Sequence, residues 1–64
     1  MLEKLTKREL EVLNLIVKGY SNVQIAESLD VTVHTAKAHV QSILYKLNLK
    51  NRVQVAVAVT KMIA

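Results

Sequence analysis

Residues 21–47, SNVQIAESLDVTVHTAKAHVQSILYKL, decide how the whole chain is read. Ser21 followed three residues later by Gln24 is a capping box. The hydroxyl accepts from the backbone N–H at Gln24, and the amide reaches back to the N–H at Ser21. That pair predicts a short helix over 22–29 with Ile25, Ala26 and Leu29 inward. Asp30 and Val31 make a tight turn, and Thr32 caps a longer helix over 33–47. Asn48 is placed to stop it, because asparagine tolerates the left-handed conformation better than most residues.

Projected at 100° per residue, the longer helix has two sides. Ala36, Val40, Ile43, Leu44 and Leu47 share one sector, the expected core face. His34, Lys37, Ala38, Gln41 and Tyr45 share another. The second sector carries hydrogen-bond donors and one small apolar side chain, and no acid. A lysine donates to guanine O6 or N7, a glutamine pairs with adenine, and an alanine touches a thymine methyl. Two helices joined by a short turn, the second longer and basic, form a helix-turn-helix. Ala26 is small enough for close approach, and Ala36 stands ten residues later, where the longer helix crosses back.

Towards the N-terminus, Thr6 with Glu9 is a second capping box and opens a helix over 7–18. Leu10, Leu13, Ile16 and Val17 are expected on its inner side, with Gly19 closing it in the left-handed conformation. Towards the C-terminus, Asn51 with Gln54 opens a fourth helix over 52–62. Here Val53, Val55, Val57 and Val59 alternate with smaller or polar residues, a strand-like pattern. A lone strand would have no partner in an otherwise helical chain, so this segment too is read as helix. The expected fold is all-α, a four-helix bundle containing a helix-turn-helix, with residues 1–64 as a single domain.

The chain has 64 residues, no cysteine, no proline and one glycine. Its size allows one modest core. Without cysteine there are no disulfides or thiolate metal sites, which fits a reducing compartment. His34 and His39 project about 140° apart on a helix, so a shared metal is not expected. No cofactor is expected either. No run approaches the roughly 18 apolar residues of a membrane span, and a cytoplasmic protein with no membrane partner is expected. The charge is uneven: residues 1–30 carry five acids and four cations, residues 31–64 five cations and no acid. A half with cations alone points to a polyanionic partner. No nucleophile–base pair, carboxylate pair, metal set or glycine-rich phosphate loop is evident, so an enzyme is not expected.

The runs Leu5-Thr6-Lys7-Arg8-Glu9-Leu10-Glu11-Val12-Leu13, Gly19-Tyr20-Ser21-Asn22, Ile25-Ala26, Thr35-Ala36-Lys37-Ala38-His39 and Lys46-Leu47 together resemble the LuxR/FixJ/NarL-type helix-turn-helix. The resemblance covers nearly the whole chain. It implies the C-terminal effector domain of a bacterial transcription regulator, often a two-component response regulator, with double-stranded DNA as partner and RNA polymerase as a further one. It also implies that the chain is a piece of a longer regulator. By position, the base-reading places fall on His34, Lys37, Ala38 and Gln41. Departures from the common pattern are Ala36 in place of valine and Val23 in place of lysine, while Ala38 and Gln41 occupy variable positions.

Contacts to the DNA backbone are expected from Ser21 and Asn22, where a helix N-terminus presents free N–H groups, and from Thr32, Thr35 and Lys46. His39 lies between core and flank, with a structural role or a phosphate contact both open. On the fourth helix Val55, Ala56, Val59, Met62 and Ile63 form one apolar sector, suited to the core. Val53 and Val57, bordered by Thr60 and Lys61, form another, and with the resemblance they are expected to make a weak homodimer that DNA strengthens. The alternative is a small helical interaction module that uses these valines and binds no DNA.

Overall fold

The computed structural model describes residues 2–63, the side chain of Ile63 excepted. The described residues form a short 3-10 helix, Leu2–Lys4, and four α-helices: α1 (Lys7–Val17), α2 (Asn22–Leu29), α3 (Val33–Leu47) and α4 (Arg52–Ile63). No strand occurs among them. The valine alternation of residues 53–59 is helical, and α4 runs one residue beyond its expected end.

Local chemistry sets the ends of these helices. At α1 the Thr6 hydroxyl accepts from the Glu9 N–H at 3.1 Å while the Glu9 carboxylate accepts from the Thr6 N–H at 2.9 Å. At α2 the Gln24 N–H donates to the Ser21 hydroxyl at 3.2 Å, and the Ser21 N–H to the Gln24 amide oxygen at 2.8 Å. Each box satisfies two N–H groups that a helix start leaves without partners. At α3 the Thr32 hydroxyl accepts from the Thr35 N–H at 3.1 Å. The box at α4 forms in part: the Gln54 N–H donates to Asn51 Oδ1, but the Gln54 amide oxygen reaches past Asn51 to the Lys50 N–H.

The C-terminal stops are left-handed residues. Gly19 has φ +88° after α1, which ends at Val17 rather than 18, with Lys18 as its cap. The Gly19 N–H donates to the Ile16 carbonyl and the Tyr20 N–H to the Leu15 carbonyl, which closes the last turn. Asp30 and Asn48 both have φ 56° after α2 and α3. Asp30 turns the chain between the two helices of the helix-turn-helix, with the Val31 N–H donating back to the Ala26 carbonyl at 3.0 Å.

α3 lies at the centre, packed against α2, α1 and α4, and α1 also packs on α4. The core gathers Leu5, Val12, Leu13, Ile16, Ile25, Ala26, Ala36, Val40, Ile43, Leu47 and Val55. Ala26 and Ala36 are buried where α2 meets α3, as their small size anticipates. One expectation is corrected on α1: Val17 is exposed. Val12 is fully buried, and Leu10 is half-buried, packed against the core from its edge. The buried stripe runs Glu9, Val12, Leu13, Ile16, at helical spacing, and so is centred about 100° away from Leu10. An acid holds one place in it. Leu44 and Leu29 are half-buried against the core rather than within it.

On α4, Val55 is buried, and Ala56 and Val59 are half-buried. Met62 is exposed, contrary to its expected place in the core sector. Thr60, Lys61 and Met62 are exposed in succession, so the described residues leave the last turn of α4 uncovered. The Ile63 side chain of that sector lies outside the described residues.

Candidate nucleic-acid interface

The two sides of α3 separate cleanly by burial. Ala36, Val40, Ile43 and Leu47 are buried, and His34, Lys37, Ala38, Gln41 and Tyr45 are all exposed. The exposed stripe presents an imidazole, an ammonium, a methyl, a carboxamide and a phenol along one side of one rigid helix. Such a row can donate and accept hydrogen bonds in a groove about 12 Å wide, the width of the DNA major groove.

The helix starts beside it are polar. Ser21 is exposed and Asn22 half-buried. The Ser21 oxygen is occupied as an acceptor by its cap bond, which leaves the hydroxyl proton free to donate. Thr32 donates its proton to the Thr35 hydroxyl at 3.0 Å, so the outward donor of that pair is Thr35. Asn22 Oδ1 is occupied too: it accepts from Arg52 Nη1 at 2.7 Å, while Arg52 Nη2 donates to the Tyr20 carbonyl at 2.7 Å. One guanidinium fork therefore ties the start of α4 to the start of α2. A planar fork with fixed donors suits two acceptors at once better than an ammonium does.

Lys46 also has a protein partner. Its ammonium lies 2.7 Å from Glu9 Oε1, and the Ser42 hydroxyl donates to Glu9 Oε2 at 2.6 Å. The Glu9 residue is 5% exposed, so these bonds form out of water. Burial pushes the Glu9 carboxyl up, but hydrogen bonds from Lys46, Ser42 and the Thr6 N–H, with the Lys46 charge, outweigh it and hold the group at about 2. Glu9 is thus a three-way pin that joins the start of α1 to the second half of α3. The cation of Lys46 is largely spent there, although its side chain keeps 31% exposure.

The structure brings His34, Lys37, Ala38 and Gln41 onto one face, with Thr35 at its edge. Lys46 stands apart from that stripe, against α1, and His39 is half-buried between the two sides of α3. Val53, Val57, Thr60 and Lys61 are all exposed on α4. Sequence reasoning missed the second task of Glu9 and the whole role of Arg52. Glu9 was detectable in part, since it completes a helical stripe with Val12, Leu13 and Ile16. Arg52 carried no local signal, because its partners lie some thirty residues away. Among the described residues, no group of His, Cys, Asp or Glu is placed to share a metal ion. No described helix is long and apolar enough to cross a membrane.

The family of bacterial regulatory proteins named luxR matches residues 3–59. The chain is also similar to the response regulator protein VraR of Staphylococcus aureus, with 49% identity over 55 residues, 86% of this chain and 26% of that protein. The VraR proteins of Staphylococcus saprophyticus and Staphylococcus epidermidis give the same identity and coverage. This chain therefore spans about a quarter of the length of these relatives. The match takes in α1, α2, α3 and most of α4, and the protein belongs to the luxR family of bacterial regulatory proteins, with α2 and α3 as its DNA-binding helix-turn-helix.

Proposed function

We propose that α3 lies in the major groove of duplex DNA, with His34, Lys37, Ala38 and Gln41 facing base edges. The observation that carries this reading is the exposed, acid-free stripe of α3 set directly against its buried side. Lys37 and Gln41 are the specificity-bearing pair, because a lysine favours guanine and a glutamine adenine. Ala38 meets a thymine methyl, and His34 lies nearest the start of the helix. Backbone phosphates are held by Ser21, Asn22, Thr35 and Lys46, with Thr32 taking part by orienting the Thr35 hydroxyl. Among these, the N–H groups at the start of α2 and the Thr35 hydroxyl carry most of the contact. Asn22 contributes through its amide NH2, and Lys46 contributes least because Glu9 holds it.

Residues 1–64 act as one effector domain in this reading, a binding unit without catalysis of its own. A second copy pairs weakly through Val53, Val57, Thr60 and Lys61, and the DNA strengthens that pairing. The response-regulator relatives support a place in a longer regulator. In this reading that regulator works in the cytoplasm and engages RNA polymerase.

A salt titration of binding to a two-half-site duplex tests the reading. Neutral N–H and hydroxyl contacts release no counterions, so the salt dependence comes from the cations of residues 31–64. With about six phosphates neutralised by two domains, affinity falls by about a thousandfold between 50 and 200 mM salt. An affinity indifferent to salt contradicts it.

A further inference from the structure

We infer that Tyr45 is a further DNA-contacting residue, gripping the sugar-phosphate wall of the groove beyond the base-reading side chains. The inference rests on the major-groove reading of α3 and extends it by one helical turn. Tyr45 lies four residues after Gln41 and eleven after His34, so it falls within the same angular sector as the four base readers. It is 88% exposed, and its hydroxyl makes no hydrogen bond with any described residue. A large ring with a free phenol, held out by a rigid helix, presents a flat apolar face and a donor at its tip.

Position along the helix decides what that side chain meets. At 1.5 Å per residue Tyr45 stands about 6 Å past Gln41 and about 16 Å past His34. A straight recognition helix touches base edges with its N-terminal part. Its last turn rises out of a groove about 12 Å wide and faces the wall of deoxyribose and phosphate. The ring packs on the sugar, and the hydroxyl donates to a phosphate oxygen.

The neighbouring side chains give a second reason. The polar groups that would otherwise serve the end of α3 are Ser42 and Lys46, and both are held by Glu9, at 2.6 and 2.7 Å. Tyr45 remains as the outward donor on the stripe there. A phenol also brings no charge, so this contact adds nothing to the counterion-release term that ammonium contacts carry.

The test uses Tyr45→Phe, Tyr45→Ala and Lys37→Ala on one selected duplex, together with duplexes in which single phosphates are replaced by neutral methylphosphonates. High exposure keeps the fold out of the comparison, and the thermal midpoint checks this. Tyr45→Ala is expected to weaken binding about tenfold, and Tyr45→Phe by about half of that on a logarithmic scale. Base preference from site selection stays unchanged. One methylphosphonate, flanking the contacted bases, weakens the native domain but not Tyr45→Phe. Full affinity in Tyr45→Ala with a clear loss in Lys37→Ala overturns the Tyr45 contact and leaves the groove reading standing. No loss in either variant overturns both. A changed base preference in Tyr45→Phe, or equal sensitivity of both proteins to every methylphosphonate, removes the phosphate assignment. A defect in gene activation at unchanged DNA affinity would place a protein partner on Tyr45 and likewise overturn the proposal.

Discussion

α3 and α4 adjoin one another and are both rich in aliphatic side chains, yet they spend them differently. α3 divides its fifteen residues into a buried side of Ala36, Val40, Ile43 and Leu47 and an exposed polar side. α4, at twelve residues, carries four valines and buries Val55 alone, with Val53 67% and Val57 47% exposed. An apolar residue is buried only where a neighbouring element exists to cover it. α3 has neighbours on three sides, so its pattern is completed within one copy of the chain. α4 rests chiefly on α1, and among the described residues Val53 and Val57 are left exposed. The first helix is therefore read from one copy. The second carries the valines of the proposed pairing surface.

The largest expected effect strikes the inner side of α3. Ile43 is fully buried, and Ile43→Ala removes its contacts and leaves a cavity, at a cost of about 2–5 kcal/mol. In a domain of this size that is a large share of total stability. Urea unfolding should show a lower midpoint with a similar slope. The matching change on α4, Val53→Ala, should move stability by less than about 0.5 kcal/mol.

A somewhat smaller effect concerns how α3 is held against α1. The folded Glu9 carboxyl titrates at about 2, below its ordinary 4.5. Between these values the unfolded chain takes up a proton that the folded protein refuses. Its contribution is complete above about pH 4.5 and is lost as pH falls towards 2. The loss is on the order of 3 kcal/mol. Glu9→Gln should lower stability near neutral pH and flatten the acid limb, as followed by helical circular dichroism. An acid limb as steep in the variant as in the native chain would place the titration elsewhere.

The smallest effect falls on α4. Val57→Glu should leave the thermal midpoint within about 1 °C and single half-site binding unchanged, because the side chain already faces water. Binding to a two-half-site duplex should weaken about fivefold, a loss of about 1 kcal/mol. Unchanged binding there would remove the valines of α4 from any pairing surface.

The same contrast separates what was legible in the sequence from what was not. Caps are local: Thr6 with Glu9, Ser21 with Gln24, Thr32 with Thr35, and the stops at Gly19 and Asn48 all act within a few residues. Helix number and order followed from them, as did the two sides of α3. Long-range bonds left no such trace. Glu9 and Lys46 are 37 apart in sequence, and Arg52 meets Tyr20 and Asn22 from the far end of the chain. On α1 the sequence pattern points Val17 inward, but the buried stripe is centred elsewhere because an acid, Glu9, takes a core position. Met62 was misjudged because periodicity tells which side of a helix is apolar, but not where its neighbour ends. The 3-10 turn at Leu2–Lys4, which carries Leu5 into the core, gave no periodic signal at all.

One side of α3 is packed into the protein, and the proposed reading fits the other to nucleotides. Amide and side-chain shift mapping of the whole chain, titrated with a selected duplex, tests this most directly. The largest changes should fall on His34, Lys37, Ala38 and Gln41, with lesser ones at Ser21 and Thr35, while Val40 and Ile43 stay nearly still. A duplex that binds tightly yet leaves His34, Lys37 and Gln41 unmoved would take α3 out of the groove.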